Sequence, residues 1–187
     1  MVSALSLWLP ILVSAIAVFI ASSIVHMALK YHNNDFGPVP NESAALDALA
    51  PLAIPPGDYV MPHASGMAAM KDPVYLEKVK RGPVAFMTVV PAEKVTSMGT
   101  QLVLWFLNAL IVSIFVAYLT GHALGPGADY LAVFRFAGTI AFASYSLAIM
   151  HNSIWYGRKW SSTLKSMFDG LIYACVTAGV FGWLWPQ

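Results

Sequence analysis

Residues 168–186 read FDGLIYACVTAGVFGWLWP, and Gly170, Ala174, Ala178 and Gly182 recur there at every fourth position of an otherwise apolar segment. On a helix, residues four apart lie on one face, so these four form a flat stripe. In a bilayer, burying apolar surface between helices gains little over lipid, and close backbone packing along small residues holds helices together instead. The stretch therefore predicts a membrane helix whose small-residue face is the central packing surface.

Composition extends that reading to the whole chain. Of 187 residues, 58% are hydrophobic and only 10% charged, against roughly a quarter charged in soluble domains. Lipid is the expected solvent. A net charge of +1 with scattered basic residues gives no stripe for nucleic acid. The single cysteine, Cys175, excludes an internal disulfide and thiol exchange between paired cysteines.

Three further segments match the roughly 20 residues needed to cross a hydrocarbon core: Leu5 to Met27, Gln101 to Leu119 and Tyr130 to Met150. No Lys or Arg precedes the first, so it reads as a retained anchor and not as a cleaved signal. Trp8, Trp105, Trp155, Trp160, Trp183 and Trp185 lie near the expected span ends, as interface-seeking aromatics do. The expected fold is an all-α membrane protein, a four-helix transmembrane bundle divided into helix 1 (1–29), an extramembrane segment (30–100) and helices 2 to 4 (101–187).

Four spans put 30–100 and 151–167 on one side. Lys30, Arg81, Lys94, Arg158, Lys159 and Lys165 lie there close to span ends, and the other side has no basic residue. The positive-inside rule makes the first side cytoplasmic, with both termini outside, periplasmic in a bacterial inner membrane. Nine of the twelve prolines, Pro38 to Pro91, fall in the long segment and rule out long regular elements, so a proline-rich, mostly irregular cytoplasmic cap is expected. Short elements fit within it. Asn41 caps a helix through Ala50, Asp72 and Pro73 open a second helix through Lys80, and Val84 to Val90 form one strand. A lone strand needs a partner, and the membrane face or another chain would supply it.

His32 to Asp35, the run Pro40, Asn41, Glu42, then Gly57 with Tyr59 and Pro62, Gly82 with Pro83, Ile154 with Trp155 and Gly157, and Asp169 and Gly170 through Phe181 to Pro186 resemble an uncharacterised family of small four-span bacterial membrane proteins. The resemblance covers most of the chain. It implies a bacterial inner-membrane setting and the topology above, and carries no activity or functional residues.

Four groups of residues are candidate sites. Arg135 is an intramembrane charge near the outer end of span three, and such charges are often functional; its plainer fates are to snorkel outward or to reach Asp129 or His122. Asp169 lies near the opposite face, out of reach of Arg135. It is expected in the first turn of its helix, where the dipole and Arg158 or Lys165 stabilise a carboxylate. His26 and His151 are expected at similar depth on different helices, with His32 slightly further along the chain, an arrangement that could hold haem b or a metal ion in a bundle. Met61, His63, Met67 and Met70 combine thioether and imidazole donors suited to Cu(I), although methionines also serve as adaptable contact surface. A transport path through an oligomer could use Thr139, Ser144, Ser146 and Thr177, but no mid-depth carboxylate suggests proton coupling.

The stripe, the unpaired strand and the absence of a catalytic constellation lead to an expected role as a non-enzymatic accessory or assembly subunit of a membrane complex, in contact with lipid and with partner subunits or copies of itself. A haem- or metal-binding redox protein is the second expectation. A small oligomeric transporter or channel is the third.

Overall fold

The computed structural model describes all residues from Met1 to Gln187. Its helices are α1 (Trp8–Met27), α2 (Glu42–Leu49), α3 (Pro73–Arg81), α4 (Ala92–Thr96), α5 (Gly99–Ala123), α6 (Tyr130–Ser146), α7 (Met150–Tyr156) and α8 (Trp160–Trp183). Four helical segments are long and apolar enough to cross a membrane: Ala4–Met27, Gly99–Ala123, Tyr130–Tyr156 and Trp160–Trp183. The chain is a multi-pass membrane protein of helical architecture.

The chain forms two compact units, one of residues 1–36 and 99–187, the other of residues 37–98. In the first, hydroxyls and small residues let helices meet closely. Ser14 on α1 donates to Ser113 on α5 across 2.9 Å, and the Trp105 indole donates to Ser22 at 2.7 Å. Val133, Ala137 and Ala141 of α6 face Ala174, Ala178 and Phe181 of α8 in the buried core. Gly170 and Gly182 allow the approach: a Cβ at Gly170 would collide with the Ser146 side chain and stand a tight 3.2 Å from the Tyr145 backbone, and one at Gly182 would lie 2.7 Å from the Tyr130 ring. The small-residue stripe of α8 is thus occupied by α6 of the same chain.

At one end of this unit the chain termini are pinned to the last turn of α5 and to the α5–α6 connection. Val2 N–H donates to the Gly121 carbonyl at 2.7 Å, Gly127 N–H to Pro186 at 2.8 Å, and the Trp185 indole to Gly125 at 3.0 Å. Toward the other end, α6 tightens into a 3-10 turn at Leu147–Ile149 before α7, which ends at Gly157 with φ 66°. A buried hydroxyl pair, Ser153 and Thr163 at 2.6 Å, ties α7 to α8.

The unit of residues 37–98 corrects the all-α expectation and the mostly irregular one. Strand β1 (Gly57–Met61) pairs antiparallel with β2 (Ala85–Val89), Gly57 opposite Val89 and Met61 opposite Ala85. The expected strand therefore has its partner within the chain, and Thr88 adds a cross-strand hydrogen bond to Asp58 at 2.6 Å. β1 escaped the sequence reading because Pro55, Pro56 and Pro62 flank it, and proline runs read as loop. Asp72 caps α3 as its sequence requires, accepting from Val74 N–H at 2.7 Å with Pro73 in the first turn. Asn41 precedes α2 in the left-handed region, φ 53°, and its side chain makes no capping bond.

Candidate functional site

The last turns of α1 carry Ser22, Ser23 and His26, and beyond Met27 the chain does not leave the bundle. A 3-10 turn at Lys30–His32 folds residues 30–36 back against α8, in the same compact unit. This places Tyr31, His32 and Asp35 beside the N-terminal half of α8. That helix starts at Trp160, earlier than its apolar pattern indicates, because Ser161, Ser162, Thr163 and Ser166 are polar yet helical. Asp169 consequently lies nine residues in, about 13 Å along the axis, so the first-turn expectation is corrected and the helix dipole does not account for it.

Asp169 is only 3% exposed, and a carboxylate out of water needs partners. Its first oxygen accepts a short hydrogen bond from the Tyr31 hydroxyl. Its second lies 2.9 Å from His32 Nε2. The other ring nitrogen of His32, Nδ1, sits 2.7 Å from Asp35 Oδ2. Lys165, expected to support Asp169, instead holds Asp35 at 2.9 Å and also donates to the Tyr31 carbonyl at 2.5 Å and to Asn34 Oδ1 at 2.7 Å. Burial works to raise the Asp35 carboxyl, but the hydrogen bonds and charges of His32 and Lys165 outweigh it and hold the group at about 2. Burial first, and the hydrogen bond to Asp169 second, push the Tyr31 phenol well above its ordinary value, so it stays a neutral donor.

One contact in this cluster is chemically incomplete. With Nδ1–H donating to Asp35, a neutral His32 presents a bare lone pair at Nε2 to a carboxylate oxygen 2.9 Å away. Although so close, the two are not aligned as a hydrogen bond, and Nε2 is buried without any other partner. Two lone pairs held together need a positive centre. His26 completes the group: one ligand atom each from His26, His32 and Asp169 lie within 4.8 Å of one another, the rings of His26 and His32 are 4.8 Å apart, and Tyr173 approaches His26 Nε2 at 3.5 Å.

His26, Asp169 and Tyr173 also line a cleft of about 340 Å³ between the helices, with Trp105, Asn108, Ser144, Tyr145 and Ser166 on its walls. Tyr173 packs edge-on against both Trp105 and Tyr145 at 5.7 Å between ring centres, and Trp105 and Tyr145 are tilted at 6.3 Å. The Tyr145 hydroxyl is buried, and neighbouring Thr177 does not meet it in hydrogen-bond geometry.

The remaining expected residues lie elsewhere. His151 is exposed on α7, its ring beside Trp155 and Tyr156, and the ring stacked near His26 is that of His32. His63 borders a separate cleft of about 270 Å³ with Asp72, Tyr75 and Lys78, whose walls include none of Met61, Met67 and Met70; Met67 and Met70 are 81% and 52% exposed. Arg135 is exposed on α6 and makes no salt bridge, since Asp129 caps that helix and His122 bonds the Tyr118 carbonyl. Ser144 and Ser146 bond the carbonyls of Ile140 and Met167. Sequence reasoning named His32 only in passing and missed Tyr31, Asp35 and Lys165 as site residues. The spacing Tyr31, His32, Asp35 immediately after a span was the available signal.

No protein-family model, no curated protein and no solved structure matches the chain.

Proposed function

We propose that this multi-pass membrane protein binds a divalent transition-metal ion through His26, His32 and Asp169 at one end of its helical bundle. The observation that carries the reading is the unaligned 2.9 Å approach of His32 Nε2 to Asp169 Oδ2. Two ligands about 2.05 Å from one ion stand about 2.9 Å apart at right angles and about 3.3 Å apart in a tetrahedron, so these two atoms lie within about half an ångström of the separation that a shared ion imposes. The full set lies within 4.8 Å, so its widest pair closes by about 0.7 Å to stand across an ion and by about 1.5 Å to fit a tetrahedron. His26, on the exposed end of α1, can supply that movement.

The surroundings support the ligands as metal sites require. A ligating histidine commonly donates its second N–H to a carboxylate, which fixes the ring and its tautomer; Asp35 does this for His32, and Lys165 fixes Asp35. Tyr31 plays the same part for the free oxygen of Asp169. Two imidazoles and one carboxylate suit iron(II) or zinc(II) and leave coordination positions open, here toward the cleft walled by Trp105, Asn108 and Tyr145. An open position beside a cleft is the arrangement of a metal that meets a substrate.

The experiment is elemental analysis of protein purified in mild detergent without chelator, followed by titration of zinc(II) and iron(II) into the stripped protein. Close to one equivalent per chain is expected, lost in His32→Ala and Asp169→Asn and kept in His151→Ala. No metal on purification and no uptake at tens of micromolar ion, from wild-type protein with an intact thermal transition, would leave a second reading. In it His32 is an imidazolium clamped between Asp35 and Asp169, a latch fastening residues 30–36 to α8.

The positive-inside distribution supports a cytoplasmic placement of this end, with both termini periplasmic in a bacterial inner membrane. An accessory role in a larger complex loses one motive, because β1 and β2 pair with each other, and is weakened in another, because α6 covers the α8 stripe. An absorbance spectrum on the same preparation tests haem: a Soret band would replace the metal-ion reading with the haem one.

A further inference from the structure

Arg135 is the single Lys or Arg between Lys94 and Arg158 and thus the one in α5, α6 and α7. It lies five residues after Tyr130, the first residue of α6, at about 7 Å from the start of that helix. No salt bridge includes it. The one acid at this end, Asp129, turns its carboxylate to the N–H groups of Leu131 and Ala132 at 3.0 and 3.2 Å. Beside Arg135 a groove of about 550 Å³ runs between α5 and α6, walled by Leu119, Ala123, Phe136, Thr139 and Ile140. Leu119, Phe136 and Arg135 are exposed on a span.

From this juxtaposition we infer that the groove binds an anionic phospholipid, its phosphate on the Arg135 guanidinium and an acyl chain along the groove. The argument is one of charge and depth. Helical Cα–Cβ bonds tilt toward the N-terminus, so Arg135 extends toward the Tyr130 end, and a long basic side chain near a helix end carries its charge to the headgroup level while its stem stays in hydrocarbon. At that level the available anions are lipid phosphates, and a guanidinium offers them a planar pair of N–H donors. Apolar walls without a charged residue other than Arg135 suit a hydrocarbon chain and repel a soluble anion. The site shares no residue with the His26, His32 and Asp169 cluster and stands or falls separately from it.

Native mass spectrometry of the full chain, loaded with equal phosphatidylglycerol and phosphatidylcholine, tests the inference. Wild-type protein is expected to retain the anionic lipid about tenfold more strongly, as a charge-assisted hydrogen-bonded pair warrants. Arg135→Gln should reduce the preference to near unity, and Arg135→Lys should keep part of it. Leu119→Trp, which fills the groove and leaves the charge, should also abolish retention, covering the case in which the Arg135 variants do not fold. Equal retention of the two lipids by wild-type protein overturns the inference. So does displacement of the lipid by millimolar inorganic phosphate, which would make Arg135 a site for a free anion.

Discussion

Gly170 and Gly179 lie on the same helix, and the same substitution at each should move stability in opposite directions. Replacing a helical glycine by alanine favours the helix by about 1 kcal/mol through the unfolded chain. At Gly179 nothing opposes that gain: the nearest atom to an added Cβ is the Tyr130 hydroxyl at 3.8 Å, an ordinary contact. At Gly170 the Cβ would run into Ser146 Oγ and stand 3.2 Å from both the carbonyl carbon and Cβ of Tyr145. Rotating the Ser146 side chain relieves its overlap but gives up its hydrogen bond to the Met167 carbonyl, and the two Tyr145 atoms, fixed to the α6 backbone, must still yield by a few tenths of an ångström. Overpacking of this kind costs about 1–3 kcal/mol, and the lost Ser146 hydrogen bond adds to it, so the upper half of that range applies. The net expectation is a loss of about 1–2 kcal/mol for Gly170→Ala, or about 2–8 °C in a chain of this size, against a gain of up to a few degrees for Gly179→Ala. Thermal unfolding in detergent, followed by the surviving monodisperse fraction on size-exclusion, measures both. Equal shifts in the two variants, of either sign, would refute close α6–α8 packing at Gly170 as the cause.

Three other outcomes follow from the site, the stripe and the topology. Asp35→Asn removes the carboxylate that orients His32 and should weaken metal binding about 10–100-fold without abolishing it, as read by titration of zinc(II). The folded carboxyl of Asp35 titrates at about 2, below its ordinary 3.8, so its stabilisation is present above pH 4 and is lost as the pH falls toward 2; melting curves from pH 5 to 2 should show a decline in wild-type protein that is shallower in Asp35→Asn. Ala178→Leu adds bulk against Gly138, where even an added Cβ would stand 3.2 Å from that of Ala178, and a melting point equal to wild type would remove this pair from the packing interface. A cysteine replacing exposed Ser161 should resist an impermeant maleimide in intact cells, and ready labelling would invert the orientation.

Hydropathy located the four spans because lipid solvation acts on every residue of a helix at once, and a run of apolar residues records it directly. Polar residues that remain helical leave no such record. Ser161 to Ser166, Lys165 among them, hid the first third of α8, and with it the depth of Asp169, whose burial depends on Tyr31, 138 residues earlier, folding back over it. The same reason separates what could be read of the site from what could not. Asp72 and Pro73 announced α3 because a cap is a contact between neighbours in sequence. Tyr31, His32 and Asp35 meet α8 through space, and their spacing alone fits an ordinary interfacial turn. What distinguishes them is that Lys165 and Asp169, one helical turn apart, present a cation and an anion to the same turn. Lys165 meets Asp35 and Asp169 meets His32, so the four charges are balanced if His32 carries a proton. If a divalent ion takes that proton's place, one positive charge is left over. An open coordination position that accepts an anionic ligand from the cleft would restore neutrality, which is a reason to expect the ion's partner there to be an anion.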